Sequence, residues 1–159
     1  MSAGLTMKIL LDTTFLLPSF GIKVQGIDED RLIALLRDIR ESGVEFAYPK
    51  LLLVELIAKI GKEALRKGEL SPEALEALLL EVDVELVEPN VKHIVTATEM
   101  RIRGHDDIFD NLLYATALHE DMKLVTEDDK LVKFLKDKGY RADFVLRFKE
   151  LEDVLAIKR

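Results

Sequence analysis

Short apolar runs alternate with longer segments whose apolar residues recur at helical spacing, from one end of the chain to the other. Residues 7–11 are an apolar run that predicts a buried first strand. Leu32, Leu35, Leu36 and Ile39 then share one helical face over residues 31–39, with Gly43 following as a cap. A second short strand is expected at 45–47, and Pro49 opens a long helical segment that stops near Gly68. Ser71, Pro72 and Glu73 combine a capping hydroxyl with a first-turn proline, and Leu75, Leu78, Leu79 and Val82 give the helix behind them an apolar face. Residues 84–87 read as a strand or an extended link, broken by Pro89. Helices are expected at 91–103, ending at Gly104, at 107–120, and at 128–138, capped by Gly139. A strand at 123–126, a short one around 144–145 and a last helix at 148–157 complete the pattern. Strands alternating with amphipathic helices predict an α/β domain, a three-layer sandwich around a central parallel sheet. No repeat, low-complexity tract or linker interrupts it, so residues 7–159 are read as one domain, with 1–6 a disordered extension ahead of Met7.

Composition narrows the choice without changing it. The chain has 159 residues, 48% apolar and 33% charged, enough for a hydrophobic core and too apolar for intrinsic disorder. No apolar run reaches the ~20 residues of a membrane span, and the simplest expectation is a cytoplasmic protein. The absence of cysteine excludes disulfides and thiolate metal sites. A net charge of −7 argues against non-specific attraction to nucleic acid, yet leaves room for a nuclease whose acids hold a divalent cation. Gln25, Asn90 and Asn111 are the only amides, a weak lean towards a thermophilic source.

Four acids stand where a core would not place them. Asp12 follows Ile9, Leu10 and Leu11, at the carboxyl end of the first strand, where open parallel sheets bind ligands. Its plain alternative is a turn cap, together with Thr13 and Thr14. Glu55 is the odd residue among Leu51, Leu52, Leu53, Val54, Leu56 and Ile57, and its alternative is an ion pair with Lys59 one turn on. Lys59, Lys62 and Arg66 continue that stripe, as phosphate contacts or, more commonly, as a solvated face. Asp110 opens an apolar helix whose Ala115 and Ala117 suit close packing, with Asp107 one turn earlier as a fifth acid or a cap. Asp128 lies just past the strand that ends at Thr126 and could also cap the next helix. Asp28 and Asp30 read as helix-start acids, and Glu127 and Asp129 as solvent-facing neighbours.

Convergence would separate function from capping. Two like charges ~4 Å apart repel by about 4 kcal/mol at an effective dielectric of 20, so several carboxylates in one cleft require a proton or a cation. Oxygen donors without cysteine or a histidine pair favour Mg²⁺ or Mn²⁺ over zinc. His93, His105 and His119 follow no zinc spacing and are expected at the surface or at helix ends. No phosphate loop, serine elbow or dinucleotide fingerprint is present.

The segments ILLDTTFLLP, LLLVELIAK, DNLLYATAL and LVTEDDKL, in this order, make the chain resemble the PIN-domain family, in particular its VapC-type toxin ribonucleases. The resemblance runs from about residue 7 to about residue 145, and the acid of DNLLYATAL followed by V-T-x-D is its strongest part. It implies a PIN-like parallel sandwich and metal-dependent hydrolysis of RNA phosphodiester bonds by a catalytic quartet of Asp12, Glu55, Asp110 and Asp128. Asp12, Asp110 and Asp128 would hold Mg²⁺ or Mn²⁺, with Glu55 acting through water. Thr13 and Thr126 would orient a carboxylate or the attacking water, and Asp107 would lie outside the ligand set. It also implies an antitoxin partner and a homodimer, for which the apolar stripe of Leu75 to Val82 is one candidate surface. Two other readings compete. A phosphoaspartate enzyme would need a second acid at Thr14, and a receiver domain would need an acid pair and a late lysine that are not evident. A PIN-like RNA-binding or assembly module with little or no cleavage would keep the same acids, so only cleavage distinguishes it.

Overall fold

In the computed structural model, which describes residues 7–20, 22–68 and 84–158, the strands are short and the sheet is wholly parallel. The chain runs through β1 (Lys8–Leu11), a single-turn α1 (Thr13–Leu16), α2 (Glu29–Glu41), β2 (Glu45–Pro49), α3 (Leu53–Lys67) and β3 (Val84–Val87). It continues through α4 (Val91–Ile102), α5 (Ile108–Glu120), β4 (Lys123–Val125), α6 (Asp129–Asp137), β5 (Val145–Leu146) and α7 (Phe148–Lys158). The helix expected after Ser71 and the extension at 1–6 both lie outside the described residues.

Strand order is β3-β2-β1-β4-β5. β1 is central, with Leu10 opposite Ala47 of β2 on one side and Leu124 of β4 on the other. A central parallel strand is covered on both faces, which is why residues 9–11 are continuously apolar rather than alternating. Ile9, Leu10, Leu11, Ala47, Leu124 and Val125 are all inaccessible to solvent, and Leu32, Leu52, Met100, Leu113 and Leu131 from the flanking helices pack into the same core. From β1 the chain builds outwards to β2 and β3, then returns to the other side of β1 for β4 and β5. The direction of winding therefore reverses between β1 and β4, and the carboxyl ends of those two strands border the crevice that such a reversal leaves open.

One expectation shifts and two sharpen. Pro49 does not open the helix: it closes β2 opposite Val87, and a 3₁₀ turn, Lys50–Leu52, precedes α3. A proline φ serves an extended residue as well as a helical one, and at a strand's last position the missing N–H is tolerated. Residues 84–87 are a paired strand rather than a link. The last strand begins at Val145, one residue later than the pattern suggested.

Candidate active site

All four acids stand at helix beginnings. Asp12 is the N-cap of α1, its Oδ1 accepting from the Thr14 N–H at 3.3 Å. Glu55 and Asp110 lie in the first turns of α3 and α5. Asp128 is the N-cap of α6, its Oδ1 accepting from the Leu131 N–H at 2.9 Å. Helix starts expose unbonded N–H groups and the positive end of the macrodipole, which offsets part of the cost of gathering carboxylates. Capping and site-building are thus compatible at Asp12 and Asp128.

Thr126 joins the two central strand ends. Its hydroxyl donates to Asp12 Oδ2 at 3.1 Å and accepts from the Asp128 N–H at 3.1 Å, and it is fully buried. One side chain after β4 therefore fixes an acid after β1 and the turn carrying its own neighbour. Asp12 is itself buried, and burial pushes its carboxyl above the usual range; the Thr14 and Thr126 donors pull it back, while the nearby Glu55 charge pushes it up further.

Asp110 and Asp128 face each other closely enough to share a proton. Asp110 is raised to about 9, first by burial, then by the hydrogen bond to Asp128 and the charges of Asp107, Asp128 and Asp12. Asp128 moves the opposite way. Burial alone would raise it, but the Leu131 N–H, the hydrogen bond from Asp110, the Lys130 N–H and the charge of His105 together hold it below the usual range. One carboxyl keeps the proton and the other stays ionised. Both line an open cleft of about 750 Å³ whose walls include His105, Asp107, Lys130 and Lys133.

Glu55 is mostly covered and its Oε1 lies 3.1 Å from Lys59 Nζ, so the expected ion pair forms while its charge still reaches Asp12. Asp107 is the N-cap of α5, accepting from the N–H groups of Phe109 and Asp110, and it adds negative charge beside Asp110. The hydroxyl of Thr13 is not brought to the acids. It is fully buried 2.6 Å from the Tyr48 hydroxyl; since Tyr48 donates to the Leu52 carbonyl at 2.9 Å, the Thr13 proton goes to Tyr48. Thr13 thereby ties the turn carrying Asp12 to the junction that precedes Glu55.

Among the described residues, no three acidic or histidine side chains stand together tightly enough to grip one ion as they are placed. The donor set nevertheless fits a hard divalent cation. It consists of carboxylate oxygens, and the charges of Asp107, Asp128 and Asp12 that push buried Asp110 upward are ones a cation would balance.

His105 in this cleft carried no sequence signal as a site residue; like His93, which stands in the first turn of α4, it is buried rather than at the surface. His93 turns Nε2 onto Glu120 at 2.9 Å, and His105 turns Nδ1 onto Asn111 at 2.7 Å; neither contact has a short-range sequence signal. The buried Asn111, beside Asp110 in an apolar helix, was the one available hint.

A family model described as PIN domain matches residues 9–136, which includes every acid just described. The chain belongs to the PIN-domain family. No curated protein matches it. Among solved structures, this PIN chain is similar to one from the crystal structure of VapBC2 from Rickettsia felis bound to a DNA fragment from their promoter, with 17% identity and a TM-score of 0.60 over 89% of this chain and 98% of that one. It is also similar to a chain of a toxin–antitoxin complex from Klebsiella pneumoniae, with 13% identity and a TM-score of 0.53 over 87% of this chain and 95% of that one. At these identities the likeness is one of fold. No helix among the described residues of the PIN chain is long and apolar enough to cross a membrane.

Proposed function

We propose that this chain is a divalent-metal-dependent endoribonuclease, the toxin of a toxin–antitoxin pair. The observation that carries the reading is the gathering of Asp110 and Asp128 on one open cleft, with Asp12 in electrostatic reach, at the reversal of a parallel sheet. A purely structural use of these acids gains nothing from burying Asp110 beside a half-covered Asp128, because a desolvated carboxylate is costly and a neighbouring one makes it costlier.

Asp12, Asp110 and Asp128 would hold Mg²⁺ or Mn²⁺, with Glu55 acting through water. When bound, the ion would supply charge neutralisation at the phosphoryl oxygens and acidify a water. The chain's own residues prepare the rest. Thr126 keeps Asp12 oriented and Asp128 in register with it. Asp128 stays ionised through the N–H groups of its own helix, while Asp110 gives up its proton on loading. Lys59 limits the charge on Glu55, and Asp107 adds negative charge from outside the ligand set. Thr13 sets the distance between the Asp12 turn and α3 through Tyr48. RNA is the substrate proposed, on the strength of the family resemblance. An antitoxin partner is proposed because one similar structure is described as a toxin–antitoxin complex and the other as VapBC2, which fits the family resemblance. A homodimer is proposed in the same spirit, and a cytoplasmic location follows from such a role.

The test is cleavage of a mixed set of labelled RNAs with Mg²⁺ or Mn²⁺, comparing wild type, Asp12→Asn and wild type with EDTA. Cleavage that needs the ion and falls at least ~100-fold in the variant is the expected result, the scale seen when electrostatic stabilisation is removed. Equal inertness of wild type and a folded variant across all RNAs and both ions would leave a binding or assembly module as the better reading.

A further inference from the structure

The buried imidazole of His105 is used by nothing in that scheme, and its surroundings single out one of its nitrogens. The Asn111 side-chain nitrogen donates to two carbonyls, Ala97 at 3.3 Å and the His105 backbone at 3.0 Å. Carbonyls only accept, so the orientation of the amide is fixed and its Oδ1 is left as an acceptor. Oδ1 lies 2.7 Å from His105 Nδ1, which must therefore carry a hydrogen. The ring is held further by Phe134, with centroids 5.1 Å apart. Nε2 has no protein partner among the described residues, and no buried side-chain nitrogen or oxygen among them is left unbonded. Nε2 therefore reaches water, and the space that His105 lines is the cleft of Asp110 and Asp128.

We propose that His105 is a catalytic proton donor in this cleft, protonating the leaving oxygen through Nε2. The inference rests on the nuclease reading and adds to it a residue outside the acidic quartet. A positioned ring, an orienting partner on one nitrogen and a free second nitrogen, on a residue that lines the cleft of the acids, are the arrangement that general acid–base catalysis uses. In the step, a water oxygen bonds to phosphorus, losing its proton to the acids or to solvent. The bond from phosphorus to the leaving oxygen breaks, and that oxygen takes the Nε2 proton. The ring enters with a hydrogen on each nitrogen and leaves as the Nδ1–H tautomer, the form that Asn111 already selects. Solvent in the open cleft restores the second proton.

The cleft that the ring lines also carries Asp106, Asp107 and Asp110 from its own loop and α5, Asp128 and Asp129 from the start of α6, and Lys130, Lys133 and Asp137 further along that helix. The charge of His105 in turn helps keep Asp128 ionised.

The experiment compares an ordinary RNA with RNAs carrying sulfur in place of the 3′ or the 5′ bridging oxygen at the cleavage site, using wild type, His105→Ala and the bulkier His105→Gln. A thiolate departs without a proton. We expect kcat on the ordinary RNA to fall about 100-fold in both variants, KM to change little, and the rate on the sulfur RNA that matches the leaving side to equal that of wild type. Each comparison is a ratio within one folded variant, so partial loss of stability cancels. Equal slowing on oxygen and sulfur, or no slowing on either, overturns the assignment, as does a weakened affinity for Mn²⁺, which would make the ring a ligand. If wild type cuts no RNA at all, the nuclease reading falls and takes this one with it; if wild type cuts and the variants match it, only this one falls.

Discussion

Asp110 carries the clearest consequence at the scale of single residues. Its pKa of about 9 in the fold lies above the unfolded value of 3.8, so the folded state holds a proton that the unfolded chain has released across that window. Its contribution to stability is complete below pH 3.8 and is lost as pH rises through about 9. A cation in the same site must displace that proton. Metal affinity should therefore rise with pH up to about 9, with proton release on binding. Titration calorimetry of Mn²⁺ in buffers of different ionisation enthalpy at pH 6, 7 and 8 tests this, and a pH-independent affinity without proton release would refute it. Asp110→Asn mimics the protonated acid. It should make the metal-free fold more stable than wild type near neutrality, where wild type must take up a proton to fold, while abolishing that pH dependence.

Between elements, the tie made by Thr126 matters most, because it couples the ends of β1 and β4. Thr126→Val keeps the shape and removes both hydrogen bonds. It should cost about 1–3 kcal/mol in urea unfolding and lower cleavage about 10–100-fold, as the loss of an outer hydrogen bond to a ligand does. A Val variant with full activity would show that Asp12 needs no such support. The elements themselves were largely readable from the sequence, since a buried parallel strand and an amphipathic helix leave different apolar periods. Asp12, Glu55 and Asp110 stood out as candidates because each ends, interrupts or opens an apolar run, and Asp128 because it follows a strand. Where Thr13 and Thr126 send their hydroxyls was not, because both follow apolar stretches and only the packing of Tyr48 and Asp12 tells them apart. The surroundings of His105 were hidden for the same reason: Asn111, in the first turn of α5, and Phe134, well inside α6, meet it through packing, not through spacing.

For the molecule as a whole, alternating strands and helices foretold a parallel sheet, but strand order was not legible. Nothing local distinguishes which side of β1 a later strand will join; that depends on burying helices over both faces at once. The surface also carries Val54, Ile57 and Leu65 on α3, and Val91 and Ile102 on α4, each more than 60% exposed. Apolar exposure of this extent is the natural material of a subunit contact. On the proposed homodimer, light scattering should give twice the chain mass for wild type, and Val54→Glu with Ile57→Glu should shift it towards the single-chain value. A wild type that runs as a single chain at all concentrations would count against the dimer.

The hydrogen bond between Thr126 and Asp12 spans 114 positions of the chain, and the acids it organises are spread from residue 12 to residue 128. No nascent piece shorter than 128 residues contains all four. On the proposed function, a ribonuclease assembled in this way would be silent until β4 has emerged and docked beside β1, and the ribosome making it would be shielded from its product until then.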